Sequence, residues 1–189
     1  MLKNLNPARF ARRVLYRIRQ FFLAVTSRLT DDDLAFVRNH LTIPEMALFE
    51  LLPRDEQKHS IAIARKMLSL AHGSALKHDK RVLAKAGLLH DVGKSAVKLG
   101  ITDRAMLVVL RRMIRPVYDK LAEKGKAPNS AFVYRKFFVH REHGRIGAKA
   151  LMKAGTEEKV ISIVEAHDSP PRNNDPVELV FLRKIDNEN

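Results

Sequence analysis

Leu88-Leu89-His90-Asp91-Val92-Gly93-Lys94 sets an imidazole beside a carboxylate at the end of an apolar run, with a glycine and then a lysine following. Asp and Lys are rarely buried unless paired or bound to a metal. Neighbours on a helix sit about 100° apart, so His90 and Asp91 cannot share one helix face. At a helix end that constraint relaxes. Gly93 is placed to stop the helix in a left-handed cap, which would let both side chains turn toward one cavity. The alternative is a histidine and an aspartate that merely cap an ordinary helix. What separates the two is whether other His and Asp residues converge on the same point.

Working outward, the stretch from Asp79 to His90 is a helix whose buried side is Val82, Leu83, Ala86, Leu88 and Leu89. A longer helix begins at Arg54 or Asp55 and runs to about Leu70, with His59 near its start and Gly73 ending it. Before it, Thr30-Asp31-Asp32-Asp33 caps a short helix to about Leu41, and Pro44 starts another through Leu52. After the opening motif, Thr102-Asp103 caps a segment that Pro116 should kink or end, and which continues to Gly125. Lys124 to Ser130 is a loop, and an aromatic-rich helix follows from Ala131 to about His140. Three further helices complete the chain: His143 to Ala154, closed by Gly155; Lys159 to about His167, capped by Thr156-Glu157-Glu158; and Val177 to Asp186. No alternating strand pattern and no repeat is visible. The expected class is all-α, an orthogonal or irregular helical bundle.

Composition narrows the chemistry. A chain of 189 residues suits one domain with a short appendage, and 46% hydrophobic residues exclude a disordered polymer. There is no cysteine, which removes disulfides and thiolate metal sites and fits a reducing cytoplasm. Any metal must therefore take His and carboxylate ligands. The net charge of +14 predicts attraction to polyanions: nucleotides, nucleic acid or an anionic membrane face. No apolar run approaches the ~20 residues of a membrane span. Phe21-Phe22-Leu23-Ala24-Val25 is too short for a secretory core and no small-residue cleavage site follows, so the expected location is the cytoplasm.

The charge is concentrated early. Pro7 to Leu29 reads as an amphipathic helix with Phe10, Val14, Ile18, Phe21, Phe22, Val25 and Leu29 on one face and Arg9, Arg12, Arg13, Arg17 and Arg19 around the rest. Such a helix either docks its stripe on the core or contacts RNA or a peripheral membrane surface. Docking is the expected use.

Metal-competent side chains recur beside apolar faces on four helices: His59, His90 with Asp91, His167 and Asp186. His143 adds a fifth position, at an expected helix start, whereas His40, His72, His78 and His140 read as bystanders. In order and context the set resembles the HD-domain superfamily of metal-dependent phosphohydrolases, of the HDIG type. His59-Ser60-Ile61-Ala62-Ile63-Ala64 looks like the family's first helix, Leu88 to Lys94 like its signature, and Leu182-Arg183-Lys184-Ile185-Asp186-Asn187 like its closing Asp helix. His143-Gly144-Arg145-Ile146-Gly147-Ala148 and Glu165-Ala166-His167-Asp168 resemble the positions that carry extra ligands in two-metal members. The likeness spans roughly Pro53 to Asp186, dividing the chain into a basic helical extension over 1–52 and an HD domain over 53–189.

The resemblance implies a divalent ion bound by His59, His90, Asp91 and Asp186, with a second held by His143 and His167 and sharing Asp91. Imidazole and carboxylate ligands suit Mn, Fe, Co, Ni or Zn, and Mg less well. A bound water of lowered pKa would attack phosphorus in line. Asp91 and Lys94 are the expected catalytic residues, with Lys94 on a phosphate oxygen. With a single ion, His143 and His167 would instead contact substrate or act as general acid. Departures are informative too: no Gly-Tyr-Pro element follows His167, which disfavours the cyclic-di-GMP-degrading branch. No acidic Glu-Asp pair follows Asp91, which weakens the guanosine-tetraphosphate branch. Ala166 stands where some two-metal members have a tandem histidine. The expected activity is hydrolysis of a nucleotide or related phosphate ester. The alternative is a degenerate HD module that binds RNA or membrane through its N-terminal helix.

Overall fold

A computed structural model describes residues 28–72 and 78–188. The expected basic helix lies outside the described residues apart from Arg28 and Leu29, and so does the stop at Gly73. Among the described residues the chain is helical throughout. The helices are α1 (Asp31–His40), α2 (Ile43–Glu50), α3 (Arg54–His72), α4 (Lys80–Leu89), α5 (Ile101–Met113), α6 (Arg115–Lys124), α7 (Phe132–Lys153), α8 (Glu158–Ala166) and α9 (Val177–Glu188), with a 3-10 turn at Val92–Ala96. None of them is long and apolar enough to cross a membrane.

Local chemistry sets most of the boundaries. At α1 the Thr30 hydroxyl accepts from the Asp33 amide at 3.1 Å, and the Asp33 carboxylate accepts from the Thr30 amide at 3.0 Å. Glu45 caps the Thr42 amide at 2.8 Å, and Asp79 accepts from Arg81 and Val82 at the start of α4. At the start of α5 the cap is made backwards: Asp103 accepts from the Gly100 amide at 3.1 Å, while Thr102 is exposed within the first turn. Gly155, at φ +71°, closes α7 with the Thr156 amide donating to Leu151 and the Gly155 amide to Met152. Thr156 does not cap α8. Glu157 occupies the cap position, and the Thr156 hydroxyl is buried without a hydrogen-bond partner.

Helix α4 is the axis. Every residue from Val82 to Leu89 is buried, so this helix is enclosed on all sides rather than amphipathic. It packs on α3, α8 and α9 and under α1 and α2. Its one buried cation, Lys85, donates to Glu45 of α2 at 2.8 Å. Val37, Leu41, Phe49 and Leu52, from the stretch ahead of α3, join the same apolar core as Ile61, Ile63 and Met67 of α3 and Ile163, Leu182 and Ile185 of α8 and α9. A second cluster, with Leu107, Tyr118, Ala122, Phe137 and Val139, is built by α5, α6 and the first half of α7. The 3-10 turn runs between the two, with Val92 in the first cluster and Val97 just past its end in the second.

Two expectations need correction where they bear on the site. Helix α4 ends at His90 with right-handed backbone angles, and among the described residues the one positive φ belongs to Gly155, so Gly93 is not a left-handed cap. Gly93 lies inside the 3-10 turn for want of space: a Cβ there would stand 1.9 Å from the carbonyl oxygen of His143. The expected break between His140 and His143 is absent too. Nothing in Arg141-Glu142 stops a helix, and α7 runs through as 22 residues with His143 in its middle.

Candidate metal centre

Three of the site imidazoles are held in the same way. His90 Nδ1 lies 2.9 Å from the carbonyl of Gly87, His143 Nδ1 2.8 Å from that of His140, and His167 Nδ1 2.7 Å from that of Val164. Each ring leans on the carbonyl three residues back in its own helix. A carbonyl oxygen only accepts, so Nδ1 carries the hydrogen, and in the neutral ring Nε2 is left with its lone pair facing the bundle centre. Such bonds orient metal-ligating histidines.

The six side chains converge as two triads. Ligand atoms of His59, His90 and Asp186 lie within 4.8 Å of one another, and so do those of Asp91, His143 and His167. Asp91 stands between them. Its Oδ2 is 3.2 Å from His90 Nε2, and its Oδ1 is 3.3 Å from His143 Nε2 and 3.8 Å from His167 Nε2. Asp186 Oδ1 is 3.1 Å from His59 Nε2 and 3.7 Å from His90 Nε2. His90 and Asp91 are sealed from solvent, whereas the Asp186 side chain keeps 38% of its exposure and His59 26%. The centre is therefore closed at its base and open on the His59–Asp186 side.

Electrostatics mark the same point. Burial opposes a charge on His90, yet Asp91 and Asp186 override it and push the imidazole up to about 10. Asp91 also overcomes burial and lies well below the usual carboxylate range, held there by His90 and Lys94. Asp186 is lowered despite its burial by His59 and His90. His167 moves the other way, down to about 4, through burial and the proximity of His143. His90 Nε2 is buried and has no well-directed hydrogen-bond partner. A buried imidazole nitrogen that faces two ionised carboxylates without a well-directed hydrogen bond to either fits a divalent cation. The donor set of nitrogen and oxygen without sulfur fits Mn, Fe, Co, Ni or Zn.

Lys94 joins the cluster from the 3-10 turn. Its ammonium donates to Asp91 Oδ2 at 2.6 Å and to Glu56 Oε2 at 3.4 Å, and although burial opposes it these carboxylates raise its pKa. Glu56 in turn accepts from Arg104 of α5 at 3.0 Å, and Arg104 also pairs with Asp55. Sequence reasoning missed Glu56. The available signal was its place on α3, three residues before His59 and so on the same face. His140, expected to be a bystander, lies outside both triads; it is buried with Nδ1 2.6 Å from the Tyr118 hydroxyl, its pKa brought down to about 3 by burial and by His143. His140 stands three residues before His143 and supplies the carbonyl that orients it. Also outside the triads are His40, bonded to the Phe36 carbonyl, and the exposed His72.

Comparison with known protein families matches residues 57–188 to the HD domain, and curated proteins and solved structures give no match. The matched region holds both triads and Lys94, and it leaves out Glu56 by one residue. A match over that much of the chain, carrying a His/Asp cluster able to hold a metal, makes this protein a member of the HD-domain family, within the metal-dependent phosphohydrolase superfamily.

Proposed function

We propose that this protein is a hydrolase of a nucleotide or related phosphate ester, acting as a phosphomonoesterase or phosphodiesterase, with His59, His90, Asp91 and Asp186 holding one divalent ion and His143 and His167 a second that shares Asp91. The observation that carries this reading is the Asp91 carboxylate, which turns one oxygen to His90 and the other to His143 and His167. When bound, the ions supply a nucleophilic water at neutral pH and positive charge against the phosphoryl oxygens.

The remaining work falls to the chain. The Nδ1 bonds hold three imidazoles in register, which spares the site reorganisation during reaction. Burial of His90, Asp91, His143 and His167 keeps bulk water from the base of the centre and strengthens each electrostatic contact there. Lys94 stays cationic between Asp91 and Glu56. Swung from these carboxylates to a phosphate oxygen, it stabilises the charge that develops in the transition state. With a single ion, His143 serves as a substrate contact instead.

The test is a phosphatase screen over a nucleotide panel with added Mn²⁺, Co²⁺ and Ni²⁺, alongside elemental analysis of the purified protein. At least one nucleotide should be hydrolysed, and Asp91→Ala should lose both retained metal and turnover. Full metal occupancy in Asp91→Ala would refute the ligand assignment.

A further inference from the structure

A cleft of about 440 Å³ opens between α5, the start of α6, the turn after α8, and α9. Of the six triad residues only His167 lines it, and Asn187, the neighbour of Asp186, lines it as well. Its size is that of a small-molecule site. Arg111, Arg115, Arg183 and Lys184 form its wall against a single carboxylate, Asp168.

The four cations differ in what the fold asks of them. Arg183 is structural: it donates to the carbonyls of Ala166 at 2.8 Å and His167 at 3.2 Å, and it pairs with Asp175, so it fixes the end of α8 that carries His167. Arg111 donates to Asp168 at 2.7 Å, which orients its guanidinium at the cleft. Arg115 is 72% exposed and only 3.7 Å from Asp119, a contact at the outer limit of an ion pair. Lys184 is exposed on α9. Three elements bring Arg111, Arg115 and Lys184 to one opening that Asn187 borders, next to Asp186 on the open side of the centre. Pro170, Pro171 and the half-exposed Val180 supply an apolar face in the same cleft.

We propose that this cleft is the subsite for the rest of the substrate, and that this rest is itself anionic. The preferred substrate carries at least one phosphate beyond the one hydrolysed, on a body with an apolar face that lies against Pro170, Pro171 and Val180. Arg111 and Arg115 receive the extra phosphate through their planar donor forks and Lys184 through a point charge. A substrate with one phosphate on a neutral alcohol would leave these cations to water. This inference rests on the hydrolase reading above, with phosphate as the reacting group.

The experiment compares AMP, ADP and ATP as substrates for the full chain and for the double variant Arg115→Ser/Lys184→Ser, whose positions are exposed. A melting curve checks that the variant is folded. Wild type should favour ADP or ATP over AMP in kcat/KM, and the variant should lose that preference by about tenfold for each charge-assisted contact removed. Calorimetric titration with inorganic tripolyphosphate in EDTA reads the subsite without catalysis: wild type should bind and the variant should bind markedly less. If nucleotides are hydrolysed but the preference and the tripolyphosphate affinity are the same in both proteins, the subsite is refuted and the hydrolase reading survives. If tripolyphosphate binds and the variant loses it while no nucleotide is hydrolysed with any metal, the anionic subsite stands and the hydrolase reading falls.

Discussion

Gly93→Ala should damage the metal centre without touching a ligand. A Cβ at this position would stand 1.9 Å from the His143 oxygen, 2.6 Å from the Gly147 nitrogen and 2.8 Å from the His143 carbonyl carbon. All three are backbone atoms of α7, so no side chain can swing away. Ordinary contact begins at 3.4 Å, which requires the turn and α7 to part by about 1.5 Å. Overpacking of this kind costs about 3 kcal/mol, and the stiffer unfolded chain returns about 0.4–1 kcal/mol. The net loss of about 2 kcal/mol lowers the melting temperature by about 4–8 °C for a chain of this size. The same displacement separates Asp91, two residues before Gly93, from His143, whose facing atoms are 3.3 Å apart. Misplacement of about 1 Å at a reacting site lowers turnover about 100-fold. Thermal melts and elemental analysis should be run beside Gly100→Ala, where the nearest atom is a side-chain oxygen at 3.6 Å and only a loss under about 1 kcal/mol is expected. Equal stability and equal metal content in the two variants would refute the close-approach argument.

Metal titration of His143→Ala decides the ion count: with two ions the variant should lose about half the bound metal and much of its activity. Stoichiometry fixed at one in both proteins, with turnover reduced, would instead assign His143 to the substrate. Lys85→Met should cost about 3–5 kcal/mol in urea unfolding, because it strands the buried Glu45 carboxylate, and a loss below 1 kcal/mol would contradict the buried pair. Acid should find the same kind of weak point. Burial opposes the charge on Asp33, Glu45 and Glu178, but Lys58, Lys85 and Lys159 with backbone amides hold all three below their ordinary pKa values. The stability they contribute is full above their unfolded values of 3.8 and 4.5 and is lost as pH falls through the lower folded ones. Urea midpoints should therefore drop steeply below about pH 4.5, and a flat profile from pH 5 to 3 would contradict this.

How much of this could be read in advance depended on the range of the physics involved. Helix periodicity, caps such as Thr30 and Asp79, and a proline in the first turn such as Pro44 act over a few residues, so the all-helical class and most boundaries were legible from the chain alone. The His-Asp pair and the order of His59, His143, His167 and Asp186 were legible for the same reason, since each lies in a recognisable local stretch. Local signals failed at Gly93 and His143. Glycine after a helix favours a left-handed cap, but the backbone of α7 passes so close to Gly93 that space, not handedness, explains it. Arg141-Glu142 carries no signal that stops a helix, and α7 runs through His143 as one rod packed along the 3-10 turn and α8. The partners of the site were decided wholly in three dimensions. Glu56 meets Lys94 across 38 residues, His140 meets Tyr118 across 22, and Arg111 with Lys184 reaches one cleft from different helices. Charge and hydrogen bonding over such separations leave no periodic trace in sequence, because they arise only after the apolar faces have fixed which helices touch.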